Sequence, residues 1–154
     1  MSFLNSLDIT GSALTAERFR TDIILQNLAN QNTTRTEDGG PYRRKQVVFR
    51  EQPLTFQEQL GNAMKTGTVK AGRSGSRMEG GVIAEEVVES QEAFVPVYDP
   101  TNPDADENGY VQMPNVNSAE EMVDLMAASR AYEANITALN ITKSMAMKAL
   151  EIGK

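Results

Sequence analysis

Cysteine and histidine are both absent from this chain, and tryptophan with them. Without cysteine there is no disulfide framework and no thiolate metal site. Without histidine the usual general base and the commonest neutral metal ligand are missing. Those absences remove most hydrolytic and zinc chemistry. Aromatic residues make up only 6% of the 154 residues, against 40% hydrophobic. That balance favours helices with Leu/Met/Ala seams over a thick globular core. No run of about 18 apolar residues exists, so no transmembrane helix is expected. The opening MSFLNSLDITGSALTAERFR lacks the basic and apolar regions of a secretory signal, which by ordinary rules reads as cytoplasmic.

Charge of one sign is missing from a whole stretch. Residues 81–124 carry eleven acids and no Lys or Arg, whereas residues 35–80 carry nine Lys/Arg and five acids. The first block is therefore −11 and the second +4, within a net charge of −6. Such asymmetry suits head-to-tail contact between copies or with a partner, or simply two solvated faces. A sequence pI near 4.7 argues against nucleic acid as that partner.

What is present falls into a helix, a small β insert, a long turn and a second helix. Residues 1–34 hold an amphipathic helix of about 27 residues, with Leu4, Leu7, Leu14, Leu25 and Leu28 near a seam of three- and four-residue steps. Phe19, Ile23 and Ile24 flank that seam. Residues 35–98 read as a β-rich insert, with strands expected over Tyr42–Arg50 and Val82–Tyr98 around a Gly-, Ser- and Lys-rich loop at 61–81. Residues 99–117 read as an extended return segment, rich in turn formers. Residues 118–154 hold the clearer helix, with Ser118 and Glu121 spaced as a capping box and Gly153 as its stop. Met122, Leu125, Tyr132, Ile136, Leu139 and Leu150 follow at helical steps. The expected fold is mainly α with a small β insert, its two end helices forming a coiled-coil-like pair. Thin seams of this kind are marginal alone, so the ends are expected to order on assembly.

Three stretches imitate chemical motifs. DADENGYVQMPN, from Asp104, places Asp104, Asp106 and Asn108 at positions 1, 3 and 5 of an EF-hand loop, with Gly109 at 6 and Val111 at 8. Asn115 stands where a bidentate Glu should close the coordination sphere, and VPVYDPTNP cannot be an entering helix. GTVKAGRS, Gly67–Ser74, puts Arg73 where a P-loop needs Lys and has no helix behind it. GRSGS misses the nucleophile elbow at its last position, and no histidine could serve as base. The reading is a chain with no catalytic site, no cofactor and no bound metal.

The residues left over carry a resemblance. Asn27-Leu28-Ala29-Asn30 after a Leu/Ile seam, followed by TTR and PYRRKQVVF, resembles the N-terminal pattern of the flagellar axial proteins of the bacterial basal-body rod. The C-terminal likeness is more specific: DPTNPDADENGYVQMPNVN, then EEMVDLMAASRAYEANITALN with Arg130, Ala131, Tyr132, Glu133, Ala134 and Asn135, then TKSMAMKALEIGK. It is weakest over residues 53–92. The resemblance implies a structural subunit that packs helically with itself and other rod proteins to transmit motor torque to the hook. Its length fits the short proximal-rod members. It implies inner helices and an outer β portion, and neighbours among the membrane-supramembrane ring and the rod-base adaptor. It also implies passage through the flagellar type III export apparatus without a cleaved signal, to a rod spanning the periplasm. Phe3 and Leu7 fit the short export-gate pattern of this class, and serve equally well as seam residues. A rod or hook paralogue, or a calcium-regulated helical adaptor, are the alternative readings.

Overall fold

The computed structural model describes residues 3–37, 39–52 and 80–152, with the backbone alone at residues 3–5 and 152. The side chains of Phe3 and Leu4, the expected loop over residues 61–79 with Gly67–Ser74, and Gly153 lie outside the described residues. In chain order, two end helices flank two small antiparallel sheets.

Helix α1 spans Phe3–Ala29, 27 residues. It ends at Asn30, whose side-chain amide donates to the Gln26 carbonyl at 2.9 Å. The backbone amide of Asn30 is shared between the Gln26 and Asn27 carbonyls, so the helix closes on satisfied acceptors. Helix α2 spans Ser118–Ile152, 35 residues. Its start corrects the capping-box reading of Ser118 and Glu121. The cap is Asn117, whose Oδ1 accepts from the amide of Ala119 at 3.1 Å. Glu121 cannot reach back to close the box, because other partners hold its carboxylate.

The helices pack antiparallel: Asn27, near the end of α1, meets Glu121 in the first turn of α2, and Arg20 reaches Asp124. Ala16 and Ile24 from α1 and Ala128 from α2 are buried. At 1.5 Å per residue α1 is about 40 Å long and α2 about 52 Å. The last turns of α2 therefore run past Phe3 with no α1 residue opposite.

Strands β1 (Lys45–Glu51) and β2 (Val82–Glu89) form one sheet against α1. Val48 pairs with Glu86 but Phe49 with Ala84, so Glu85 is an extra residue, a β-bulge. The bulge switches the face of β2. Val82 and Ala84 become half-buried while Glu85 turns out to Arg50. At the head of β2 the amide of Val82 donates to Ser12 Oγ on α1 at 3.0 Å. Gly81, at φ +99°, allows that approach, since a Cβ there would lie 2.3 Å from the same oxygen.

The expected strand region Val82–Tyr98 is split. Its second part, β3 (Val95–Tyr98), leaves the first sheet and pairs with β4 (Tyr110–Met113), a strand inside the return segment. Arg43 spans the break: its Nη1 donates to the Ser90 carbonyl at 3.1 Å and its guanidinium covers the Phe94 ring at 4.5 Å.

Candidate functional site

Where the two helices meet β1 and the segment after β4, the seam is polar instead of apolar. Asn27 is 1% exposed, and its side-chain amide uses four hydrogen bonds. Oδ1 accepts from the Tyr42 hydroxyl and the Lys45 amide, each at 2.9 Å. Nδ2 donates to the Lys45 carbonyl at 2.8 Å and to Glu121 Oε2 at 3.1 Å. An amide side chain has two donors and an oxygen that accepts twice, so this one is fully satisfied.

Glu121 is as deeply buried as Asn27, and a buried carboxylate needs pairing. Its second oxygen, Oε1, accepts from Arg44 Nε at 2.5 Å. Arg44 Nη2 continues to Asp124 at 3.2 Å, and the Arg44 amide donates to Asn115 Oδ1 at 2.9 Å. Asn115 Nδ2 in turn donates to the Glu92 carbonyl. Burial alone would lower the Arg44 pKa, but the Glu121 hydrogen bond and the neighbouring carboxylates outweigh it and raise it. Burial, followed by the charges of Glu121 and Glu89, pushes the Tyr42 phenol up to about 12. The guanidinium thus stays charged and the phenol neutral across the physiological range.

This arrangement holds elements together. Each of its polar groups meets another group of the chain, from α1, the lead into β1, the segment after β4, and α2. Among the described residues, no group of three or more acidic side chains is placed to hold a metal ion. The candidate calcium positions have local employment. Asp104 Oδ2 accepts from Thr34 Oγ1 at 2.8 Å, and its Oδ1 lies 3.8 Å from Arg35 Nη1. Asp106 closes the β3–β4 loop through its backbone, and Gly109 takes φ +78° beside the Tyr98 ring. Asn108 is exposed.

The charge blocks are partly consumed within the chain. Arg35, Arg44 and Arg50 of the basic block pair with Asp104, Glu121 and Asp124, and Glu85 of the acidic one. Composition showed the asymmetry without showing that part of it is met within the chain.

The expected seam residues divide. On α1, Leu7, Leu14 and Leu28 are half-buried and Leu25 is exposed; Ala16, Ile24 and Asn27 occupy the buried line. On α2, Leu125 and Leu139 are half-buried, whereas Met122, Tyr132, Ile136 and Leu150 are exposed. Exposure is greatest at the end that overhangs α1, with Met145 at 65% and Leu150 at 72%. Within the family motifs, Asn27 builds the junction, Asn30 caps α1 and Ala29 is exposed. Ala131 and Asn135 are half-buried beside exposed Arg130, Glu133 and Ala134. Sequence reasoning gave Tyr42 and Arg44 no task beyond a strand, weighed Asn115 only as a failed calcium-loop position, and gave Glu121 the wrong task. The available signal was a polar Asn27 inside an apolar seam.

Comparison with known proteins adds an independent line. Residues 107–152, from the loop before β4 to the end of α2, match the family model described as flagellar basal body rod FlgEFG protein C-terminal. Over its whole length the chain is similar to flagellar basal-body rod protein FlgC of Bacillus subtilis, at 46% identity with both chains covered completely. The FlgC proteins of Salmonella typhimurium and Escherichia coli O6:H1 are 45% and 44% identical, again over the full length of both.

Proposed function

The chain belongs to the FlgC family of flagellar basal-body rod proteins, and we propose that its two end helices form the inner, coiled-coil layer of the rod. Membership makes it a structural rod subunit of the basal body, acting in flagellar motility with other rod components. In our reading it is the proximal type, its role is wholly structural, and it passes torque along the rod towards the hook. Its neighbours are copies of itself and other rod proteins, with the membrane-supramembrane ring and the rod-base adaptor at the near end. It reaches a rod spanning the periplasm through the flagellar type III export apparatus, without signal cleavage. Phe3 and Leu7 are the export-gate residues. Among the described residues no helix is long and apolar enough to cross a membrane.

One observation carries the assembly reading. Helix α2 leaves Met122, Met126, Ile136, Met145, Met147 and Leu150 exposed, an apolar excess that a single chain does not cover. Neighbouring subunits would bury it, so the end helices, weak alone, gain most of their stability in the stack. Torque then passes through packed helices, and the polar junction ties the outer sheets to them.

The absence of cysteine makes the test clean. Single cysteines at 122, 136 and 150 should react with a maleimide in the purified subunit and be protected in isolated basal bodies. Equal reaction in both would defeat the inner-layer reading.

A further inference from the structure

We propose that the four methionines of α2 are an oxidation site, and that sulfoxide formation there bars a subunit from the rod. Cysteine is absent, so methionine supplies all the side-chain sulfur of this chain, eight residues in all. Half of them stand on α2, and each of these is exposed: Met122 at 53%, Met126 at 55%, Met145 at 65% and Met147 at 56%. Met113, paired with Val95 in the second sheet, is half-buried. Met122 and Met126 are four residues apart and share a face of the helix. Met145 and Met147 lie about 200° apart around it. Both are nevertheless open, because no α1 residue lies opposite that end.

The reaction needs a two-electron oxidant, and hydrogen peroxide is one. The thioether sulfur attacks one peroxide oxygen and the O–O bond breaks. Sulfur is oxidised to the sulfoxide while the peroxide is reduced to water. Methionine sulfoxide reductases, with a dithiol as reductant, reverse the step and release that oxygen as water. The sulfoxide replaces a flexible apolar side chain with a polar one that carries a strong hydrogen-bond acceptor.

The consequence rests on the assembly reading above. In the separate subunit the change is nearly neutral, since water hydrates the new oxygen. In a dry contact between subunits it is not, because a buried acceptor without a donor is strongly unfavourable. Access before assembly does not require α2 to be folded or aligned, because an unfolded chain exposes the same sulfurs. Packing of the α2 surface against neighbours then shields them. The site is therefore open only until incorporation: a subunit oxidised earlier is refused, and one already in the rod is protected.

The test uses the full chain in cells that lack both methionine sulfoxide reductases. Subunits are made with the export apparatus switched off and given a pulse of hydrogen peroxide. Synthesis is then stopped, the peroxide washed out and export switched on. Peptide mass spectrometry compares isolated basal bodies with exported subunits that were not incorporated. Sulfoxide at the four positions should be depleted in the rod by at least about tenfold. Met122→Leu, Met126→Leu, Met145→Leu and Met147→Leu together should preserve motility and remove the sensitivity of rod assembly to the pulse. Equal sulfoxide fractions in the two pools overturn the proposal, as does a leucine variant that stays as sensitive as the parent. If the leucine variant does not assemble, the two pools of the parent decide alone. Maleimide protection of a cysteine at 122, with oxidised subunits still entering the rod freely, would leave the assembly reading standing and refute this one.

Discussion

Leu150→Asp separates assembly from folding. In the single chain Leu150 is 72% exposed, on the part of α2 that has no α1 residue opposite. The substitution should change the stability of the purified subunit by no more than about 1 kcal/mol. If neighbours bury it in the rod, the remaining exposed surface is worth about 1–2 kcal/mol, taking 1.5–3 kcal/mol for complete burial of a leucine. Placing an unpaired carboxylate in the same dry contact costs several kcal/mol more. The combined loss exceeds about 3 kcal/mol, which is more than about 100-fold in each contact. Aspartate near a helix C-terminus is itself unfavourable by about 0.3–1 kcal/mol, too little to mimic that loss. Urea denaturation of the subunit, secretion into the medium and swimming in soft agar make the three readouts. The expected result is normal stability, normal secretion and no motility. Motile cells with complete basal bodies would refute the reasoning. Leu139 is the poorer probe because it is already half-buried in the single chain.

Three further outcomes follow from the geometry. Gly81→Ala should lower the urea midpoint by an amount equivalent to about 1–3 kcal/mol, since the new Cβ meets Ser12 Oγ at φ +99°; an unchanged midpoint would contradict the close packing of β2 on α1. The Tyr42 phenol should ionise only near pH 12, against 10.0 for a free tyrosine. The folded state then keeps a proton that the unfolded state releases, so this contribution is complete below pH 10 and lost as pH rises towards 12; ultraviolet titration of the parent against Tyr42→Phe checks it. Calorimetry with millimolar calcium should show no saturable heat, because Asp104 is already bonded to Thr34; micromolar binding abolished by Asp104→Ala would restore a metal role for the loop.

Much of the architecture was legible because it is local. The N-terminal helix was expected at about 27 residues and spans Phe3–Ala29. The C-terminal one starts at Ser118 as expected, although its cap is Asn117. The hairpin of β3 and β4 was not legible. Its two strands have four residues each, with Pro96 inside one, and their pairing joins residues separated by an eleven-residue loop. The junction was hidden for a different reason. Glu121 satisfies a capping-box spacing on paper, and only the arrival of Arg44 and Asn27 decides that its carboxylate goes elsewhere.

Hydrophobic periodicity, cap residues and the lack of cysteine and histidine act within a few positions of the chain, or on its composition as a whole. They determined two end helices, a small β insert and a non-catalytic reading from the residues alone. The partners of a charge cannot be read that way. Eleven acids facing a basic block look like a surface made for another molecule until the backbone brings Arg44 to Glu121, 77 residues away. Burial also sorts seam residues that look equivalent in sequence, covering Ile24 and leaving Leu25 beside it exposed. Both decisions depend on which elements pack side by side, and tertiary structure makes them because burial and ion pairing act across space with no regard to sequence separation.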